Sequence, residues 1–128
     1  MGGYANITPM IPADRQVIDS YAAGYFRVSN TVYDHPVIVF PDRTVPWPVR
    51  DFAGLTAADF APMRDAEPKL EVVLLGAGAR AGLLPSRLRA ELKAAGLSVD
   101  VMPSGAACRT YNVLLAEGRR VAAALFPH

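Results

Sequence analysis

Two stretches of this 128-residue chain combine residue types that do chemistry in other folds. Gly76-Ala77-Gly78-Ala79-Arg80-Ala81 follows an apolar run and matches the relaxed dinucleotide pattern of two glycines and a final small residue, with Asp100 lying 24 positions after Gly76. In a dinucleotide unit the helix starts at the glycines, so that its free amides meet the pyrophosphate. Here Pro85 and Ser86 set the helix start about nine residues later. The glycines therefore read as a sharp turn off a buried strand, with an anion site using Gly76, Gly78 and Arg80 as the alternative. No Gly-Lys-Ser/Thr follows, which excludes a P-loop.

The second stretch is Ser104-Gly105-Ala106-Ala107-Cys108-Arg109-Thr110. Free amides at a helix start, a hydroxyl and a guanidinium suit a carboxylate or a phosphate, which makes Ser104, Gly105 and Arg109 binding candidates. The plainer expectation is that Ser104 caps the helix and Arg109 is solvated or ion-paired. Cys108 beside Arg109 has surroundings that lower a thiol pKa, but the only histidines, His35 and His128, are poorly placed as a base. Its spacing with Tyr111 and Leu115 predicts a small buried hydrophobe instead. One Cys and two His supply too few soft ligands for a metal, and Asp14/Asp19 and Asp59/Asp65 lie in polar stretches with no nucleophile nearby. The expectation is no catalytic set, no metal and no cofactor. Trp47, between Pro46 and Pro48, is expected to cover the core rather than to anchor a partner.

The elements that carry these residues follow from periodicity. Leu70 to Leu75 is a nearly continuous apolar run of the kind buried on both faces of a sheet. Pro85 opens a helix with Leu88, Leu92 and Ala95 on one stripe, and Gly96 closes it. Leu97 to Met102 reads as a second strand, parallel to the first by a right-handed crossover. A helix over about 105–117 buries Ala107, Tyr111, Leu114 and Leu115 and stops at Gly118, before a last strand over 119–126. Residues 69–126 thus form a β-α-β-α-β unit.

Upstream, residues 1–13 read as an irregular arm in which Ile7, Met10 and Ile11 are packing candidates. Gly24 to Val28 and Thr31 to Tyr33 predict a β-hairpin around Ser29-Asn30. Pro36 to Phe40 predicts a strand, and Thr44 to Trp47, with its prolines, a segment at an edge or outside the sheet. Thr56 followed by Asp59 marks the start of a short helix that ends before Pro68.

The length suits one α/β domain, and 52% hydrophobic with 20% charged residues suits a packed globule. A net charge of +1 gives no case for nucleic acid, although residues 70–128, with 7 Lys/Arg against 4 Asp/Glu, are mildly basic. There is no secretory pattern and no run of the ~20 apolar residues a membrane helix needs. A lone cysteine fits a reducing compartment, so the expected location is cytoplasmic.

Three segments carry a family resemblance: Val72-Val73-Leu74-Leu75-Gly76-Ala77-Gly78, Ser104 to Leu114 with its Thr110-Tyr111-Asn112, and Glu117-Gly118-Arg119 running on to Leu125. With Ile18-Asp19-Ser20-Tyr21, Gly24-Tyr25-Phe26 and Trp47, they resemble the family of small bacterial and archaeal proteins of unknown function that includes mitochondrial complex I (NADH dehydrogenase) assembly factor 3. Family members often carry Thr where this chain has Ala77 and Ser104. The resemblance implies a single three-layer α/β domain whose mixed central sheet ends in an antiparallel last strand. It implies no enzyme activity. Taken with the missing catalytic set, it points to a non-enzymatic protein that assembles or stabilises a respiratory complex, with complex I subunits or other proteins as partners. Membrane contact would come through those partners, and oligomerisation stays open. The alternative is a small-molecule or anion-binding protein, an uncharacterised enzyme included, that uses the Gly76 to Arg80 and Ser104 to Arg109 loops.

Overall fold

A computed structural model describes residues 15–22 and 24–128. The irregular arm expected over 1–13, and Asp14, lie outside the described residues. Strands β1 (Ile18–Ala22), β2 (Tyr25–Val28) and β3 (Thr31–Tyr33) form an antiparallel sheet in that order. The predicted hairpin is β2 and β3. Its turn residues Ser29 and Asn30 both have positive φ, 45° and 72°, the handedness that matches strand twist in a two-residue loop.

The larger sheet has five strands: β4 (Val37–Val39), β5 (Thr44–Pro46), β6 (Val72–Gly76), β7 (Val99–Met102) and β8 (Val121–Leu125). Their order across the sheet is β5, β4, β8, β6, β7. The proline-bearing β5 is at an edge, as its missing N–H groups require. Helices α2 (Ser86–Ala94) and α3 (Ser104–Ala116) alternate with β6, β7 and β8, the predicted β-α-β-α-β unit. Gly96 and Gly118, at φ of 83° and 78°, follow the two helices where the chain turns away.

The last strand corrects one expectation. β8 is antiparallel to β4 but parallel to β6, with Val72 opposite Val121 and Gly76 opposite Leu125. The cause is α3, which carries the chain from the end of β7 back to the starting edge, as a parallel neighbour needs. The short helix after Thr56 is also divided, into a 3-10 turn (Ala57–Phe60) and α1 (Ala61–Arg64). Pro62 has no N–H to give the preceding turn, so an unbroken α-helix loses a bond there. Asp59 still accepts the Thr56 amide at 2.8 Å. Ala95 is exposed just past the last turn of α2, while Leu88 and Leu92 are buried as predicted.

Strand alternation separates the core into two layers. Ile38, Phe40, Val73, Leu75, Ala122 and Ala124 face the side covered by α1 and α2, together with Trp47, Phe60 and Met63. Val37, Val39, Leu74, Ala123 and Leu125 face α3 and the three-stranded sheet, with Phe26, Val28 and Tyr111. Helices and the small sheet thus sandwich the central sheet in three layers. The alanines of β8 are fully buried, and their small size lets both layers approach the middle strand. Trp47, 2% exposed, gives its indole N–H to the Asp59 carbonyl at 2.8 Å and packs 5.3 Å from the Phe126 ring. It covers the core, as expected. No helix among the described residues is long and apolar enough to cross a membrane.

Candidate functional site

Topology brings the two candidate loops together, because β6 and β7 are parallel neighbours ending side by side at Gly76 and Met102. Beyond those ends the chains are laced together. Ala77 donates to the Met102 carbonyl at 2.9 Å, Ser104 donates its amide to Gly78 at 2.8 Å, and Phe126 donates to Gly76 at 3.0 Å. Ser104 completes the lacing with its side chain. Its hydroxyl accepts from the Gly78 amide at 2.8 Å and donates to the Phe126 carbonyl at 2.6 Å.

Ser104 is therefore not the helix cap that its position suggested. Pro103 occupies the cap position, and Ser104, fully buried, is the first helical residue, turned inward between three chain segments. The hydroxyl satisfies two backbone groups that burial would otherwise leave unpaired. Gly76 is needed for the same closeness: a Cβ there would lie 2.9 Å from the Ser104 Cα and 2.9 Å from the Leu125 Cδ2. Gly76, Gly78 and Ser104 thus meet, but their polar groups are turned on one another.

Of the remaining candidates, Arg80, on the loop, and Arg109 are exposed and Gly105 is half-buried. Arg109 donates to the Tyr21 hydroxyl, and its guanidinium carbon lies 5.9 Å from the centre of that ring. Gly105 makes room for the ring, since a Cβ at this position would come 2.7 Å from the Tyr21 Cε2. Arg109 is thereby tied to β1. Burial pushes the Cys108 thiol up to about 12, with Arg109 opposing only in part. It is a buried small side chain, as predicted, and holds its proton at neutral pH.

The Thr110-Tyr111-Asn112 segment does related work. The Tyr111 hydroxyl is shared between the carbonyls of Gln16, at 2.9 Å, and Phe40, at 3.2 Å, and its burial raises its pKa. Asn112 reads the backbone of Ile18 at both ends, accepting its N–H at 3.0 Å and donating to its carbonyl at 2.8 Å. One side-chain amide here takes the place of a neighbouring strand. After Gly118, Glu71 accepts from the Arg119 guanidinium at 3.2 Å and the Arg120 amide at 2.8 Å; the Arg120 bond is the main cause that lowers its pKa. These motif residues fasten elements to each other.

Sequence reasoning missed a cavity of about 430 Å³ at the opposite end of the sheet, before β6 and β8 begin, lined in part by Arg15, Arg43, Arg119 and Arg120. The adjacent Arg119-Arg120 pair and the basic C-terminal half were its only traces in the sequence.

Known proteins resemble this chain in sequence, and solved structures share its architecture. An uncharacterized protein of Rhodobacter capsulatus is 37% identical over 110 residues, taking in 86% of this chain and 83% of its own. The Danio rerio NADH dehydrogenase [ubiquinone] 1 alpha subcomplex assembly factor 3 is 34% identical over 111 residues, which cover 87% of this chain and 64% of that protein. The chain thus spans less than two thirds of the length of that assembly factor. Among solved structures, a Bordetella parapertussis protein superposes with a TM-score of 0.82 at 36% identity, covering 89% of this chain and 97% of that one. A Bordetella pertussis protein described as a Mth938-like domain gives 0.75 at 32% identity, covering 94% and 90%. With residues 18–126 matching its model, the chain belongs to the family described as "Protein of unknown function (DUF498/DUF598)".

Proposed function

We propose that this protein is a non-enzymatic assembly factor for a respiratory complex, acting through contact with protein subunits. The observation that carries the reading is the 34% identity to an NADH dehydrogenase assembly factor across 87% of the chain. The site geometry supports it. Tyr111, Asn112, Gly118 and Arg119, on which the resemblance rests, hold β1, the ends of α3 and the start of β6 in place. What such residues preserve is a scaffold with a shaped surface, the form in which a binding protein stores its specificity. The protonated Cys108 thiol offers no nucleophile. A cytoplasmic location goes with this reading.

The test is made in the native host. Tagged protein should bring down NADH dehydrogenase subunits, and a deletion strain should lose assembled complex I and its activity. Unchanged complex I in that strain would overturn the proposal.

The second reading, an anion held by the Gly76 to Arg80 and Ser104 to Arg109 loops, has one observation in its favour: the two loops adjoin, with Arg80 exposed on the first and Arg109 exposed on the helix that continues the second. It is the weaker reading, because the Gly78 amide and the Ser104 hydroxyl are already paired. A rise in melting temperature with inorganic phosphate, lost in Arg109→Ala, would favour it.

A further inference from the structure

We infer that the cavity at the start of the parallel strands binds a small amphipathic anion, a carboxylate or phosphate carried on an apolar body. Open α/β sheets usually bind ligands beyond the carboxyl ends of their strands. In this chain that end is closed by the lacing of Gly76, Gly78, Ser104 and Phe126, whereas the opposite end holds about 430 Å³ of space. The volume falls in the usual range for small-molecule sites.

Its lining has two chemistries. Phe40, Ala66 and Leu115, all buried, with the half-buried Leu70, supply an apolar floor from three separate parts of the chain. Arg15, Arg43, Arg119 and Arg120 supply exposed cations, against Asp42 and Glu67 as the acidic lining residues. Each guanidinium carries several donors in a planar fork. The described side-chain bonds use only Nη1 of Arg43, to Asp42, and Nε of Arg119 and Arg120, to Glu71 and the Lys69 carbonyl. Arg43 lies 4.1 Å over the Phe40 ring, and the bonds of Arg119 and Arg120 through Nε leave both Nη groups of each out of the described side-chain bonds. Such forks suit two-oxygen anions. The adjoining end of α3 offers little opposing charge, since the carbonyls of Val113, Leu114 and Leu115 accept from Glu117, Gly118 and Arg119. An inorganic anion would leave the apolar floor wet, and a neutral apolar molecule would leave the cations unused. A ligand with both parts uses both.

The test titrates the full chain with octanoate, phenyl phosphate and inorganic phosphate at low ionic strength, followed by amide NMR shifts. Saturable shifts at Gly118, Arg119 and Arg120 are expected with octanoate or phenyl phosphate, and which of the two binds tighter identifies the anionic group. Affinity should fall about tenfold or more in Arg43→Ala/Arg120→Ala. Arg15→Ala, which removes no described side-chain bond, should weaken binding without changing the melting temperature. The proposal is overturned if neither organic anion saturates, if inorganic phosphate binds as tightly as phenyl phosphate, or if binding survives undiminished in both variants. None of these outcomes depends on complex I.

Discussion

Ser104 and Cys108 are one helical turn apart, and each departs from the chemistry its neighbourhood suggested. The Ser104 hydroxyl pairs the Gly78 amide and the Phe126 carbonyl, both buried, so Ser104→Ala strands one donor and one acceptor at once. The expected loss is about 2–4 kcal/mol in urea unfolding, and a loss below about 1 kcal/mol would show that the lacing is not stabilising. Cys108 acts through its proton. Its folded thiol is pushed from 9.0 to about 12, and the buried Tyr111 hydroxyl is raised from 10.0 in the same sense. Above about pH 9 the unfolded chain sheds a thiol proton that the folded chain keeps. The folded state then binds more protons, and stability falls as pH rises. Below about pH 9 the contribution is fully present; through the window up to about 12 it drains at about 1.4 kcal/mol per pH unit for the thiol. Urea midpoints between pH 8 and 11 should therefore decline more gently in Cys108→Ala than in the parent chain. Parallel curves would contradict the buried thiol.

At the scale of elements, α3 is the spine to which the small sheet is tied, through Tyr111 to Gln16, Asn112 to Ile18 and Arg109 to Tyr21. Asn112→Ala removes both side-chain bonds to Ile18 and should cost about 1–3 kcal/mol, felt first in β1. Hydrogen exchange should accelerate at the Ile18 amide and in the β1 and β2 ladder well before β6 and β8 respond. Uniform acceleration would mean that β1 does not open on its own. This strand was also the part of the fold least legible in the sequence. Asp19 and Ser20 interrupt its alternation, and its pairing with β2 is shifted by an irregularity between Ile18 and Ser20, so neither period nor a turn marked it. Strands with strong local signals were plain: the apolar run of β6 and the Ser29-Asn30 hairpin, whereas the prolines of β5 left an edge strand and a segment outside the sheet equally open. Ser104 was misread because Ser before a helix is normally a cap, and only the ends of β6 and β8, remote in sequence, turn it inward. The cavity was hidden for the same reason, since Arg15, Arg43 and Arg119 are far apart along the chain.

Across the whole molecule the decisive feature is that one strand of small residues serves both core layers. Ala123 faces the α3 layer and Ala124 the layer of α1 and α2, and each is completely buried in the middle of the sheet. Close packing leaves no room at either position, so added methyl groups force neighbours to shift, at about 1–3 kcal/mol for a Val substitution. The layers carry separate reporters: Trp47 in one, Tyr111 in the other. If β8 couples them into one cooperative unit, Ala123→Val, placed on the Tyr111 side, lowers the urea midpoint read by Trp47 fluorescence as much as the midpoint read by the ring NMR signals of Tyr111. The small sheet, held to α3 through side chains, opens more readily without dividing this transition. A Trp47 midpoint that stays at the parent value while the tyrosine signal shifts would mean that the layers unfold separately. A sheet whose central β8 bonds β4 on one side and β6 on the other gives the first outcome, because neither layer can be lost without breaking the ladder that supports its counterpart.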